Sequence, residues 1–468
     1  MSSEDATPAT LSGDPPSAVG AIDAATAPTS LPEDAATHRW SPATRIAFRF
    51  AFCYFGLYCL CNGNATIWQT IPVVGNNIQD IFARVFSLPA QFLAGHLFHV
   101  PPPGDHFHPT GSGDTAIIWI CVLLLLVVSF FATILWSVLD RRRPHYQTLA
   151  AWLRFLIRLT LGFGMVTYGI DKVFPLQMSP PTIAALSEPL GMHSPMSLLW
   201  NFIGLNPLYE MICGGAELLA GVLLLFRRTA LAGAIFTAFV VFNVLAYNLF
   251  FDVPVKLYAG HLLLLSLFVI LPDARALFRF FWQHQPAAPT GVWVPPASRT
   301  AFRRATVAVE IVFAALAIGG DALGATFGMI RRHHQDIAPC ALCGDWRIDT
   351  ADFASPTGRT VQLPPRVSGQ PATEFIVNNP SLAVLRDVTG DVSYFPIKTD
   401  TAARTITFDT SHITYFAATP DSSHLILTPA GAAATTTATL HLTLLTPPGG
   451  YPLLHRGFHW ISEFPYQR

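Results

Sequence analysis

The chain has 468 residues, of which 51% are hydrophobic and only 12% charged, about half the charged share of an ordinary soluble domain. Mean hydropathy is +0.42, and the net charge of -1 excludes the basic field by which a protein holds nucleic acid or another polyanion. Most of the chain is therefore expected in a lipid bilayer.

Residues 1–38 are rich in Ala, Pro, Ser, Thr and Asp without periodicity, so residues 1–40 are predicted to form a disordered tail. No basic stretch stands directly before an early apolar core, so the first apolar run reads as a retained helix and not a signal peptide. Seven spans follow, at about 44–61, 115–138, 149–172, 207–226, 229–251, 254–271 and 303–320. Most approach the ~20 residues that cross the hydrocarbon core. The seventh is short and holds Glu310. Between the first and second spans, residues 78–99 read as an amphipathic surface segment broken at Pro89. The Pro- and Met-containing loop 173–206 is expected to lie on the membrane or cap the bundle in the same way.

The charges set an orientation. With the N-terminus inside, the inner segments carry thirteen basic residues and the outer loops only Arg84, Lys172 and Lys256, which is the positive-inside pattern. Seven spans then put the C-terminal region outside, in the periplasm of a bacterium. Six spans would leave it in the cytoplasm.

After about residue 330 the texture changes to short alternating runs with turn residues between them: WRIDTADF, TEFIVN, DVSYFPI, RTITFD, ITYFAAT, HLILTP and TATLHLTLL. These predict an antiparallel β-meander forming a small closed barrel or sandwich. The fold class is thus mainly α, a transmembrane bundle over 41–330, with an all-β domain over 331–468. The aromatic ending Arg456–Arg468 is expected to pack on the barrel or the membrane face.

Several polar groups sit inside apolar helices, where they are costly and often functional. The third span carries Arg154, Arg158, Tyr168, Asp171 and Lys172. The fourth places Glu210, Gly214, Glu217 and Gly221 on one face, the glycines permitting close helix approach. Arg158, Tyr168 and Lys172 are available as partners for the two carboxylates. Asn243, Tyr247, Asn248, Asp252, Lys256 and His261 lie at the outer ends of the fifth and sixth spans, level with Asp114 before the second. Together Asp114, Arg158, Tyr168, Asp171, Lys172, Glu210, Glu217, Asn248, Asp252, Lys256 and His261 outline a polar pocket opening outward, suited to a quinone, a lipid-like molecule or a small anion. Lys172 or Lys256 would hold an anionic head group, and Glu217 or His261 would move protons. Glu217, Lys172 and His261 are the catalytic candidates. The alternative for every one of them is interhelical pairing or end-capping.

Only three of the 28 basic residues are Lys, either for interfacial snorkelling or for amine chemistry. His96, His99, His106 and His108 lack the regular spacing of zinc ligands, and no metal site is assigned. Cys340-Ala-Leu-Cys343 has redox-motif spacing but precedes β structure, so a short-loop disulfide in an oxidising compartment stands beside thiol chemistry.

The blocks GSGD (111–114), WSVLDRRR (136–143), YGIDKVFPLQ (168–177), SPMSLLW (194–200), AELLAGVLLLFRRT (216–229) and FDVPVKLYAGHLL (251–263) resemble the DoxX-like bacterial inner-membrane proteins, over about residues 40–280. Glu217 matches the Glu of the family's AELL-type helix, and the ending RGFHWISEFPYQR resembles that of long members with an extra β domain. Gly344-Asp345-Trp346 resembles the GxW opening of lipocalin-like barrels. The DoxX resemblance implies a four-helix core at about 149–272 and work in a quinone- or thiol-linked redox system as a subunit. The alternative is a non-catalytic membrane scaffold, or a lipid- or solute-binding protein, whose β domain recruits a periplasmic or membrane protein partner.

Overall fold

The computed structural model describes residues 39–61, 66–71, 73, 75–100, 112–287, 300–336, 340–353, 370–409, 411–431, 438–446 and 450–455. Residues 1–38 of the predicted tail and the ending Arg456–Arg468 lie outside them; Trp40, placed in the tail by the sequence, packs on Phe48 instead. In chain order the helices are α1 (Pro42–Cys61), α2 (Gly75–His96), α3 (Ala116–Leu139), α4 (Gln147–Val173), α5 (Ile183–Ser187), α6 (Pro195–Gly204), α7 (Pro207–Leu225), α8 (Ala230–Phe250), α9 (Lys256–Ile270), α10 (Ala274–Phe281), α11 (Thr300–Asp336) and α12 (Pro452–His455). Among the described residues seven are long and apolar enough to cross a membrane: α1, α3, α4, α7, α8, α9 run on into α10, and α11. The chain is a multi-pass membrane protein in contact with the lipid bilayer.

Helix starts follow local chemistry. Thr115 accepts the amide of Ile118 at the head of α3. Ser194-Pro195 and Asn206-Pro207 open α6 and α7, each with a capping oxygen and a Pro in the first turn. α4 is the most buried span and packs against α1, α7, α9 and α11, while α8 packs on α7 and α9. The closest approach is between α4 and α7. A Cβ on Gly169 would sit 2.5 Å from the Leu218 amide nitrogen, and one on Gly214 2.5 Å from the Lys172 Cβ. These glycines, with Gly221, bring the two backbones together as small residues do in membrane bundles.

Two helix boundaries differ from expectation. Pro89 does not break the amphipathic segment: α2 runs through it, and the turns directly after the lost hydrogen bond are held by Ala90 and Ala94, which bury against Ile120 of α3. The seventh span does not stop at 320. Gly319-Gly320-Asp321 looks like a helix end, yet α11 continues to Asp336. The Thr167 hydroxyl of α4 donates to Asp321 (2.7 Å), and Ala314 and Ala325 bury against Leu159, Val166 and Ile170, so the polar break is satisfied by packing.

The C-terminal domain is a closed antiparallel barrel of eight strands: β1 (Gly344–Phe353), β2 (Ala372–Asn379), β3 (Leu382–Asp387), β4 (Val392–Asp400), β5 (Thr405–Phe408), β6 (Ile413–Ala418), β7 (His424–Pro429) and β8 (Ala438–Leu444). Each strand pairs with the next, and β1 pairs with β8 to close it, Trp346 opposite Leu444. Trp346, Phe375, Leu385, Tyr415, Leu425 and Leu442 fill the interior. β3 is the strand that alternation did not reveal. Its residues Ala383–Asp387 are all buried, because α5 covers its outer face: Ala184 packs with Ile376 and Val384. One part of the loop 173–206, α5, thus docks the barrel, while Met178, held by Glu210 of α7, and Trp200 of α6 cap the bundle as expected. The Ala184 amide donates to Asn378 Oδ1 (3.0 Å), and Arg386 donates to the Ala184 carbonyl (2.6 Å) while pairing with Glu374 (2.6 Å).

Candidate functional site

The residues predicted to share one pocket separate into distinct sites. Lys172 at the end of α4 reaches α7, where Nζ donates to both Glu217 oxygens at 2.6 Å. Both side chains are buried. The Tyr168 ring lies 5.8 Å from the ammonium. This pair lines a cavity of about 50 Å³ between α4, α7, α8 and α9, with Tyr168, Trp200, Tyr247, Asn248 and Tyr258 among its walls. Tyr168, Lys172, Glu217 and Asn248 are therefore brought together.

Asp114, Asp252 and Lys256 form a second group. Asp114 accepts the amides of Lys256 (2.8 Å) and Leu257 (3.0 Å), capping α9 from the distant head of α3. Lys256 Nζ donates to Asp252 (2.7 Å), whose φ of +53° makes the tight turn between α8 and α9. Glu210 accepts the amide of Met178 (2.8 Å) and so fixes the loop after α4. Arg332 of α11 fixes it from the other side through Ser179 Oγ (2.6 Å) and the Pro175 carbonyl. Asp171 sits one turn beyond Thr167, on the face of α4 that meets Asp321 of α11.

Arg158 lies away from all of these. It pairs with Glu310, which also accepts Arg227 Nε at 2.8 and 2.6 Å. Arg154 donates to the Val269 carbonyl (2.9 Å) and lies 3.5 Å from Asp273. Neither guanidinium is a partner of Glu210 or Glu217. Glu310, read as a weakness of the seventh span, is the buried counter-charge of two arginines. Its separation from Arg158 by 152 residues hid the pairing.

His261 occupies a third site. Nδ1 lies 2.7 Å from the Leu257 carbonyl, which can only accept, so Nδ1 carries the proton and Nε2 accepts the Tyr54 hydroxyl at 2.7 Å. Its ring stacks on Tyr58 at 4.1 Å. His261 and Tyr58 form part of the wall of an apolar cavity of about 210 Å³ bounded by α1, α2, α3 and α9, with Phe86, Ile117, Val122 and Leu125. Tyr258 lines both this cavity and the Lys172–Glu217 cavity. Tyr54, Tyr58 and Tyr258 went unnoticed in sequence because a Tyr in an apolar run is ordinary core.

The five cysteines outside the CALC pair are free, and Cys340 and Cys343 form a disulfide. Among the described residues no group of three His, Cys, Asp or Glu side chains converges as metal ligands. His106 and His108 lie outside them.

Bundle, cavities and barrel define a polytopic membrane protein with a closed eight-stranded barrel. No family model matches the chain and no solved structure matches it. It is 32% identical over 129 residues to "Uncharacterized protein YwoB" of Bacillus subtilis (strain 168), a match covering 27% of this chain and 80% of that protein. The chain belongs to that protein's family.

Proposed function

We propose that this is a DoxX-like bacterial inner-membrane protein that binds a quinone in its membrane domain and serves a quinone- or thiol-linked redox system as a subunit. One observation carries the reading: Tyr258 separates an apolar cavity of about 210 Å³ from a buried Lys172–Glu217 pair. An apolar protein cavity of about 150 Å³ holds a benzene ring, so the larger cavity has room for one quinone ring. The Tyr58 hydroxyl on the wall can donate to one of its carbonyls, while His261, whose nitrogens are engaged by Leu257 and Tyr54, only lines the wall beside it. Lys172 and Glu217, across Tyr258, are groups able to exchange protons with a reduced ring.

Seven crossings and the positive-inside bias support a cytoplasmic N-terminus and a periplasmic barrel. The disulfide agrees with an oxidising compartment. A reporter fused after Arg468 tests the topology directly, since cytoplasmic activity would reverse it.

Binding of a short-chain benzoquinone to the full chain in nanodiscs tests the site. Val122→Trp, which fills the apolar cavity, is expected to abolish binding, and Lys256→Ala, in the helix cap, to leave it intact. Equal binding by Val122→Trp and the wild type would sink the reading. The filled interior of the barrel favours a second role for that domain, with its outer surface recruiting a protein partner. Cross-linking from Tyr394 and Phe416, both exposed on the barrel wall, to one stoichiometric protein would support it.

A further inference from the structure

We propose that the Cys340–Cys343 disulfide is a thiol–disulfide exchange site for a small zwitterionic thiol of the amino-acid or short-peptide type, bound at one mouth of the barrel. The proposal rests on the reading above only for its thiol arm and is independent of the quinone cavity.

Three observations meet there. First, Cys340 lines a cavity of about 300 Å³ together with Leu342, Thr399, Asp400, Arg404 and Thr419. The start of β1, the β4–β5 turn and the end of β6 all lie at this end of the meander. Second, the cavity is chemically mixed. It carries a guanidinium, a carboxylate and hydroxyls, and among the described residues no carboxylate lies within ion-pair distance of Arg404. Asp400 turns one oxygen to the amides of Ala402 and Ala403 at 2.9 Å. A ligand with both a carboxylate and an ammonium matches this set.

Third, the disulfide does little for the fold. It closes a loop too short to restrict the unfolded chain much, and the β1–β8 ladder already closes the barrel. The CALC turn is held by other bonds. Trp346 Nε1 donates to the Leu342 carbonyl (2.9 Å), the Cys343 amide to Cys340 (3.4 Å), and the Asp345 amide to Thr446 Oγ1 (3.0 Å). Reduction therefore leaves the two sulfurs as neighbours, ready to be reoxidised. Among the described residues no helix N-terminus meets them, and Arg404 supplies the local positive charge that favours a thiolate.

The step balances without another reactant. A ligand thiolate attacks Cys340 Sγ, the S–S bond breaks, and Cys343 leaves as a thiolate and takes up a proton. A second ligand thiolate attacks the ligand sulfur of the mixed disulfide, releasing Cys340, which takes up the second proton. Two thiols become one disulfide, and the cysteine pair gains the two electrons.

The test uses the full chain in nanodiscs with glutathione and, as an uncharged thiol, β-mercaptoethanol. Differential alkylation followed by mass analysis of the tryptic peptide 333–347 reads the pair apart from the five other cysteines. Glutathione is expected to reduce the pair in the folded protein. Supplied instead with glutathione disulfide, Cys343→Ser is expected to accumulate a glutathione adduct on Cys340 by exchange, releasing one glutathione, and Cys340→Ser to form little adduct on Cys343. Arg404→Ala is expected to slow the glutathione reaction on the order of tenfold and leave β-mercaptoethanol unchanged. A disulfide that resists both thiols until the protein is denatured overturns exchange. Equal loss or no loss with the two thiols in Arg404→Ala overturns the zwitterionic ligand. Quinone binding is measured separately, so either reading can fail alone.

Discussion

The two ends of the helix bundle use charge differently. At the arginine-rich end, guanidinium groups are consumed by structure. Arg49 donates to Tyr146, Ser137 and the Asp140 carbonyl, Arg45 to the carbonyls of Arg141 and Arg143, and Arg158 and Arg227 share Glu310. At the opposite end, Lys172 and Glu217 form a pair of one cation and one carboxylate, and that pair borders a void. A guanidinium's several donors suit it to tie helix ends and carbonyls together, whereas an ammonium is a compact, mobile charge. Buried charge alone therefore does not set the candidate site apart in this protein; the open space beside Lys172 and Glu217 does.

The largest test of this contrast is Glu310→Ala. It strands the buried Arg158 and the half-buried Arg227, and a loss of about 3–5 kcal/mol is expected, read as a collapse of thermal stability in detergent. Lys172→Ala should cost less, about 1–3 kcal/mol, because it leaves one carboxylate beside a cavity where Glu310→Ala leaves two guanidinium groups. If the two variants are equally destabilised, the Lys172–Glu217 pair is as structural as the arginine cluster.

The barrel offers a pH-dependent counterpart. Asp345 is buried, and burial pushes its carboxyl up to about 6, with the neighbouring Glu374 adding to the effect and Ser187 and Arg386 opposing it. The folded state then holds this proton more tightly than the unfolded chain, whose carboxyl titrates near its ordinary value. Stability falls as pH rises from about 4 to about 6, by on the order of 2 kcal/mol. Asp345→Asn should flatten that slope in thermal melts of the barrel between pH 4 and 7. The smallest effect is expected at the cap. Asp114→Ala removes the acceptor for two amides of α9, a loss of about 1 kcal/mol, measurable as faster exchange of the Lys256 and Leu257 amides with no change in quinone binding.

Much of the bundle was legible in the chain. Length and apolarity located all seven crossings, and Gly214 and Gly221 of CGGAELLAG foretold a close helix approach, which the structure makes against α4. The meander read as β because alternating burial shows directly in residue order. β3 escaped because α5 buries its outer face as well, which erases the alternation. The end of α11 escaped because satisfaction of Asp321 by Thr167 is a contact between residues 154 positions apart.

The candidate site shows the same division. Sequence singled out Lys172, Glu217, Asn248 and His261 as polar groups in apolar helices, which follows from the cost of placing them there. It could not say which of eleven such groups meet. Helical periodicity gives a side chain's face but not the neighbour across it, so Arg158 was grouped with Glu217 although it belongs to Glu310. Composition and periodicity determined that the chain spans a membrane and ends in a β domain, because both report the solvent each segment prefers. Only the tertiary structure decided which charges are spent on packing and which stand beside a cavity, because partner choice depends on distances between helices that no local pattern encodes.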